Sequence, residues 1–330
     1  MLSRVAEAIY WMSRYVERAE NLARFADVTL NMTLDLPMEV QQQWEPLVHA
    51  TGDQKYFKEH YSHASAETVM QFLVFDKEYS NSIISSLRAA RENARSVREA
   101  IPSEMWEQLN SFYHMVRNAN PNFSAMDSPS DFLRSVKDSS HLFNGIADAT
   151  MSHGIGWNFA NLGRVLERAD KTSRLLDVKY FILLPKVTDV GTPIEDLQWA
   201  DVLRSVSGFQ SYRRLYHGIT VERIIEFLVL DRDFPRAINF CITSADESLH
   251  AISGTPLGMY QNPAERILGQ LKSELAYNHV KSIVETGLHE FIDSLQCRLN
   301  LVGNAVHETF FAIRPVEEPL PPQSQTQFQS

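Results

Sequence analysis

The sequence predicts an all-α protein, a duplicated helical bundle of roughly ten or more helices whose halves are related by a pseudo-twofold. Three observations predict it. Apolar residues recur at steps of three and four over long stretches, and alternating strand patterns are scarce. Two pairs of helical segments also return in the same order about 150 residues apart.

The N-terminal helix shows the spacing most clearly. Ile9, Met12, Val16, Ala19, Ala23, Ala26 and Leu30 form one apolar line, which must face another helix. Further starts are predicted at Ser65, Asn81, Ser103, Ser130, Thr192-Pro193, Thr220 and Pro263. At each, a capping residue or first-turn proline precedes a periodic apolar run. Between Asp127 and Gly156 the runs SPS, SS and HGIG break the helical pattern, which places the first half at 1–150 and the second at 151–313. Residues 314–330, rich in Pro, Gln and Ser, are expected to be a disordered tail.

The repeat is explicit in the residues. SRYVERAENLARFADV from Ser13 returns as GRVLERADKTSRLLDV from Gly163, with Arg, Glu-Arg-Ala, an acid, Arg and Asp-Val at equal offsets. ETVMQFLVFDKEY from Glu67 returns as ERIIEFLVLDRDF from Glu222, and Trp44 and Trp199 precede these at similar distances. Helix composition alone does not generate such order.

A net charge of -10 argues against broad binding to nucleic acid, which needs a cationic face. No run approaches the roughly 20 apolar residues of a membrane span, and Arg4, Glu7 and Arg14 interrupt the N-terminus where a signal peptide would be apolar. Cys241 and Cys297 offer no spacing for a disulfide framework or zinc site, so a reducing, cytoplasmic setting is expected.

The charged residues of the first repeat form a band on an otherwise apolar helix. With Val16 at the centre of the apolar face, Glu17, Arg24, Asn21 and Arg14 fall together on one flank, and Phe25 lies opposite. Glu167, Arg174, Lys171 and Arg164 take the same angles around Leu166. Three readings are open. The pairs Arg14 to Glu17 and Glu20 to Arg24 can be a solvated ladder, the two bands can meet as a buried ion network, or they can form a shared site for an anionic or carboxamide ligand.

At these residues the sequence resembles the bacterial alpha-E proteins, a predicted all-helical family named for its Glu-Arg motif. The resemblance rests on ERAENLAR, ERADKTSRLLD, SSLRAARENARSVREAIPSEMWEQLN and FLVLDRDFPRA, and extends to about Ile313. It implies association with circularly permuted ATP-grasp ligases and transglutaminase-like or peptidase proteins, and an accessory role in a peptide or amide-bond forming system. Motif residues that carry over are Glu17, Arg18, Glu167 and Arg168, with Arg88, Arg91, Glu92, Asn93, Arg95 and Arg98. Arg88, Arg91, Arg95 and Arg98 step by three, four and three, aligning four guanidinium groups for phosphate, an acidic partner, or acids of the other half; a solvated face is the plain alternative.

Catalytic signatures are sparse. A di-iron bundle needs two Glu-x-x-His motifs, and only Glu247 to His250 occurs; its counterpart, Glu92 to Arg95, ends in a cation. Neither a metal nor a cofactor is therefore expected. Gly154-x-Gly156 is too short for a phosphate loop. His153, beside the second ladder, is the histidine placed for proton transfer, and Trp11, Trp106 and Trp157 are expected as core anchors. The preferred reading is a substrate- or partner-binding accessory of an ATP-grasp system. The alternatives are an enzyme using Glu17 and Glu167 for acid/base work on a peptide or amide, and a structural bundle that forms homo-oligomers.

Overall fold

Apolar spacing on several sides of one helix requires that helix to sit inside others, and this determines the architecture. The computed structural model describes residues 1–35, 44–120, 128–183 and 193–312, and every regular element among them is helical. In α1 (Ser3–Asp35) Ile9, Met12, Val16, Ala19, Ala23 and Ala26 of the predicted line are buried, and Leu30 at its end is half-buried. Tyr10, Leu22 and Phe25, on its other sides, are buried too.

Short helices α2 (Glu45–Thr51) and α3 (Gln54–His60) follow, then α4 (Ala66–Met70), whose N-cap is the predicted Ser65. Helix α5 (Ile83–Ser96) is capped by Ser82, one residue after the predicted Asn81. Next come α6 (Ser103–Arg117) and α7 (Pro129–Thr150). Ser128 and Pro129, not Ser130, begin α7. The serine pair Ser139-Ser140 does not break the chain there: both lie within α7, so the only interruption between α7 and α8 (Ile155–Leu183) is the short turn around Ser152 to Gly154.

Beyond α8 come α9 (Pro193–Ser205), α10 (Phe209–Leu215), α11 (Val221–Ile225), α12 (Ile238–Ser253), α13 (Pro263–Tyr277), α14 (Val280–Thr286) and α15 (Leu288–Val306). Thr220 and Pro263 start α11 and α13 as predicted. Residues 314–330, the expected tail, lie outside the described residues.

Helix α1 packs along α8 and is flanked by α5, α7 and α9, while α8 is backed by α12, α15 and α2. The α1–α8 crossing is close because Gly163 has no side chain: a Cβ there would meet the Tyr10 carbonyl oxygen at 2.4 Å. Ser13, at the equivalent position of the other repeat, is small and buried.

The similar segments that begin at Glu67 and Glu222 carry like turns. After α4 the chain makes a π-helical turn over Gln71–Phe75, and after α11 it makes another over Glu226–Leu230. Each ends in an aspartate that closes the next loop. Asp76 Oδ1 accepts from the amides of Glu78 and Tyr79 at 2.9 and 3.1 Å, and Asp231 Oδ1 from those of Asp233 and Phe234 at 2.8 and 2.7 Å. Five residues beyond each aspartate stand Asn81 and Arg236, both directed at the α1–α8 crossing.

Candidate binding site

The charged bands of α1 and α8 meet at this crossing, and they exchange partners. Arg18 of α1 grips Glu167 of α8 with two bonds, Nε to Oε1 at 2.7 Å and Nη2 to Oε2 at 3.2 Å. Arg168 of α8 grips Glu17 of α1 likewise, Nε to Oε1 at 2.9 Å and Nη2 to Oε2 at 2.8 Å. Both glutamates are fully buried. A buried carboxylate needs such partners, because leaving water costs several kcal/mol, an amount of roughly this order for each ion.

Each glutamate has further donors. Arg14 adds Nε to Glu167 Oε2 at 2.9 Å, and Lys171 Nζ lies 3.6 Å from Oε1. Glu17 accepts from Asn21 at 2.9 Å and from Arg236 Nη1 at 3.3 Å. Arg14 thus does not pair with Glu17 along its own helix, because the partner across the crossing takes it instead. The Glu20 to Arg24 pair does form within α1, at 2.8 Å, but it is buried. A solvated ladder is therefore not what these helices carry.

A second carboxylate pair adjoins the first. Glu20, fully buried, accepts from Ser140 at 2.7 Å, from Arg24, and in a short contact from Arg236; His141 Nε2 is 3.1 Å away. Arg24 continues to the Ser205 carbonyl at 2.6 Å and the Ser207 hydroxyl at 3.0 Å. On the other helix Asp170 is paired to Lys171 at 2.8 Å and Arg174 at 3.0 Å.

The electrostatics follow from this pairing. Burial pushes the Glu17 carboxyl up, but Arg168 and Arg236 outweigh it and hold it below the usual range. For Glu167, burial is likewise opposed and outweighed by Arg18, Lys171 and Arg14, and for Glu20 by Arg236, His141 and Arg24, leaving both well below the usual range. Asp170 falls to about 2 because Lys171 and Arg174 overcome its burial. Burial lowers Arg236 to about 10 despite Glu20. Arg164 is also lowered, by burial and then by Arg168. Unlike Arg14, Arg164 turns away from the opposite glutamate to Asn161 at 2.7 Å and Asp148 at 3.5 Å.

Beside Glu167 lies a cavity of about 310 Å³. Arg14, Arg18, Lys171 and Arg174 line it, with Asp53, Tyr79 and Asn81 from the α2–α5 region.

Other predicted site residues lie elsewhere. Arg88 donates to the Lys77 carbonyl, Arg91 to Asn110 and Glu92, and Arg95 pairs with Glu92 at 2.7 Å. Arg98 falls past the end of α5, in a 3-10 turn, and stacks on Trp106; the four arginines therefore do not share one helix. Asn93 is half-buried on α5, its carbonyl accepting from Ser96. His153 is exposed, stacked on Trp157 and bonded to the Asp148 carbonyl, so it does not reach the carboxylates. His141 reaches them instead. Trp11, Trp106 and Trp157 are half-buried at the edge of the core. His250 bonds to the Thr255 carbonyl, and among the described residues no group of three His, Cys, Asp or Glu side chains could hold a metal.

Glu20, expected as the partner of Arg24, belongs to the network, and Asp170, Ser140, His141 and Arg236 join it without having been singled out from the sequence. Equal offsets of the two acids were a signal for the first pair. Arg236, five residues after the repeated aspartate, could have been found by the same alignment.

The Glu-Arg pairs at the centre of the crossing agree with a family match over residues 1–311 to Alpha-E, described as a predicted alpha-helical domain with a conserved ER motif. The chain belongs to the Alpha-E family. Three curated relatives, one from Mycobacterium bovis and two from Mycobacterium tuberculosis, are each described as an uncharacterized protein. The first two are 21% identical and the third 20%, each over 96% of this Alpha-E chain. The chain spans 38% of the length of these relatives. No solved structure matches. In this Alpha-E protein two of the Glu-Arg pairs, Glu17-Arg18 and Glu167-Arg168, are at the α1–α8 crossing, each supplying the other's partner. Among the described residues no helix is long and apolar enough to cross a membrane.

Proposed function

We propose that the chain is a binding accessory of an ATP-grasp-associated system that forms peptide or amide bonds, and that it works in a reducing, cytoplasmic setting. The observation that carries this reading is the occupancy of Glu17 and Glu167. Each carboxylate is fully buried, held by bidentate arginine and further donors, and kept below the ordinary pKa range. A general base needs a lone pair within reach of a substrate proton and a pKa near the working pH. Both carboxylates are taken up by arginine and held below that range, so they hold arginine and lysine groups at the crossing, beside a polar cavity of about 310 Å³. That volume is at the small end of ligand sites, roughly 300–1,000 Å³.

Family membership supports the system assignment, and the partner expected is a circularly permuted ATP-grasp ligase, with a transglutaminase-like protein as a further member. The test is copurification with an ATP-grasp protein encoded nearby, followed by ATP turnover with and without this chain. A complex with altered turnover is expected. No complex and no effect on turnover would overturn the reading.

A further inference from the structure

The two carboxylate pairs are bridged by cations from different places. Between Glu17 and Glu20 the bridge is Arg236, entering from the loop after the second π-helical turn, with Asn21 beside it at 3.1 Å. Between Glu167 and Asp170 the bridge is Lys171, from the same helix as both acids. The residues are exchanged: Lys171 stands where the repeat has Asn21, and Asn81 stands where it has Arg236. Arg236 fills its side with a guanidinium. Asn81 is shorter, bonds to Arg18 at 2.7 Å, and leaves the cavity of about 310 Å³.

The chemistry of this cavity is specific. Four cations, Arg14, Arg18, Lys171 and Arg174, face three carboxylates, Asp53, Glu167 and Asp170, which leaves one positive charge. Arg174 has donors to spare. Its Nε engages Asp170, while Nη1, among the described residues, reaches the Ala50 and Thr51 carbonyls at 3.4 and 3.5 Å. A planar guanidinium beside an ammonium suits a carboxylate. A phosphate, at about −1.5 to −2 charges, would exceed the single positive charge on offer.

We propose that this cavity binds a small ligand through one free carboxylate, seated on Arg174 and Lys171, and that Asn81 keeps it open. The proposal rests on reading the chain as a binding protein and names the ligand class of the same site. The source is either a small free acid or the C-terminus of a short peptide, which share this group.

Calorimetry on the full chain tests it with acetate, N-acetyldialanine, the C-terminal amide of that dipeptide, and inorganic phosphate. N-acetyldialanine or acetate should bind, the tighter of the two identifying the source, with the amide and phosphate at least about tenfold weaker. Binding of the amide or phosphate as tight as that of the acids, or no binding of either acid, overturns the proposal. The double variant Asn81→Arg/Lys171→Asn transplants the Glu17 arrangement onto Glu167 at unchanged net charge. It should melt like the parent and lose binding at least about tenfold. If it does not fold, Arg174→Gln decides, with the same loss expected and undiminished binding overturning the proposal. Loss of acid binding with an intact ATP-grasp complex removes this inference alone, whereas acid binding without that complex removes only the accessory reading.

Discussion

Arg18 Nε donates to Glu167 Oε1 across 2.7 Å, from a helix 149 residues away in sequence. Because Arg168 and Glu17 make the same bond in the opposite sense, the crossing of α1 and α8 is fixed by charge as well as by packing.

Removing one partner should therefore be costly. Glu17→Gln and Glu167→Gln each leave guanidinium groups without their buried counter-ion and should lose about 3–5 kcal/mol in denaturant unfolding. A loss under about 1 kcal/mol, the value of an exposed pair, would mean the carboxylates are solvated in solution.

Gly163→Ala tests the packing side of the same crossing. Its methyl group would meet the Tyr10 carbonyl at 2.4 Å, a backbone atom that cannot swing away, and Arg14 Cγ at 3.2 Å. Overpacking of this kind should destabilise by about 1–3 kcal/mol, measured by urea unfolding. A neutral outcome would show that the helices separate easily.

The arginine row of α5 should behave differently. Arg95 is exposed and, among the described residues, paired with Glu92 alone, so Arg95→Ala should change stability by under about 1 kcal/mol. A larger loss would assign this face a structural role that its contacts do not indicate.

Acid should weaken the fold through the same carboxylates. A carboxyl held low in the folded state contributes stability that is complete above its unfolded pKa and is lost as pH falls through the folded value. For Asp170 this contribution is complete above the ordinary 3.8 and is lost on descending to about 2. Urea midpoints should fall over that window, and Asp170→Asn should flatten the fall. A flat parent profile would contradict the assigned pairing.

Much of this fold was legible in the sequence because the signals are local. The line from Ile9 to Leu30 specified a buried helix, and Ser65, Thr220 and Pro263 specified helix starts, since capping depends on neighbouring residues. Ser139-Ser140 misled because serine is tolerated inside a helix when its hydroxyl has a partner, here Glu20 for Ser140. The Glu-Arg motifs announced the charged centre but not its wiring. Pairing Arg14 with Glu17 follows from helix geometry alone, whereas pairing it with Glu167 requires knowing that Gly163 lets α8 approach Tyr10. His153 looked close to the second ladder in sequence, yet its ring lies flat on Trp157 while His141, on α7, reaches Glu20.

The reciprocal exchange is tested most directly by a double-mutant cycle on Glu17 and Arg168, using Glu17→Gln, Arg168→Met and the pair together in equilibrium unfolding. A coupling energy of about 1.5–3 kcal/mol is predicted for groups in direct buried contact. Single-variant losses that add to within about 0.5 kcal/mol would contradict it, because independent sites behave that way.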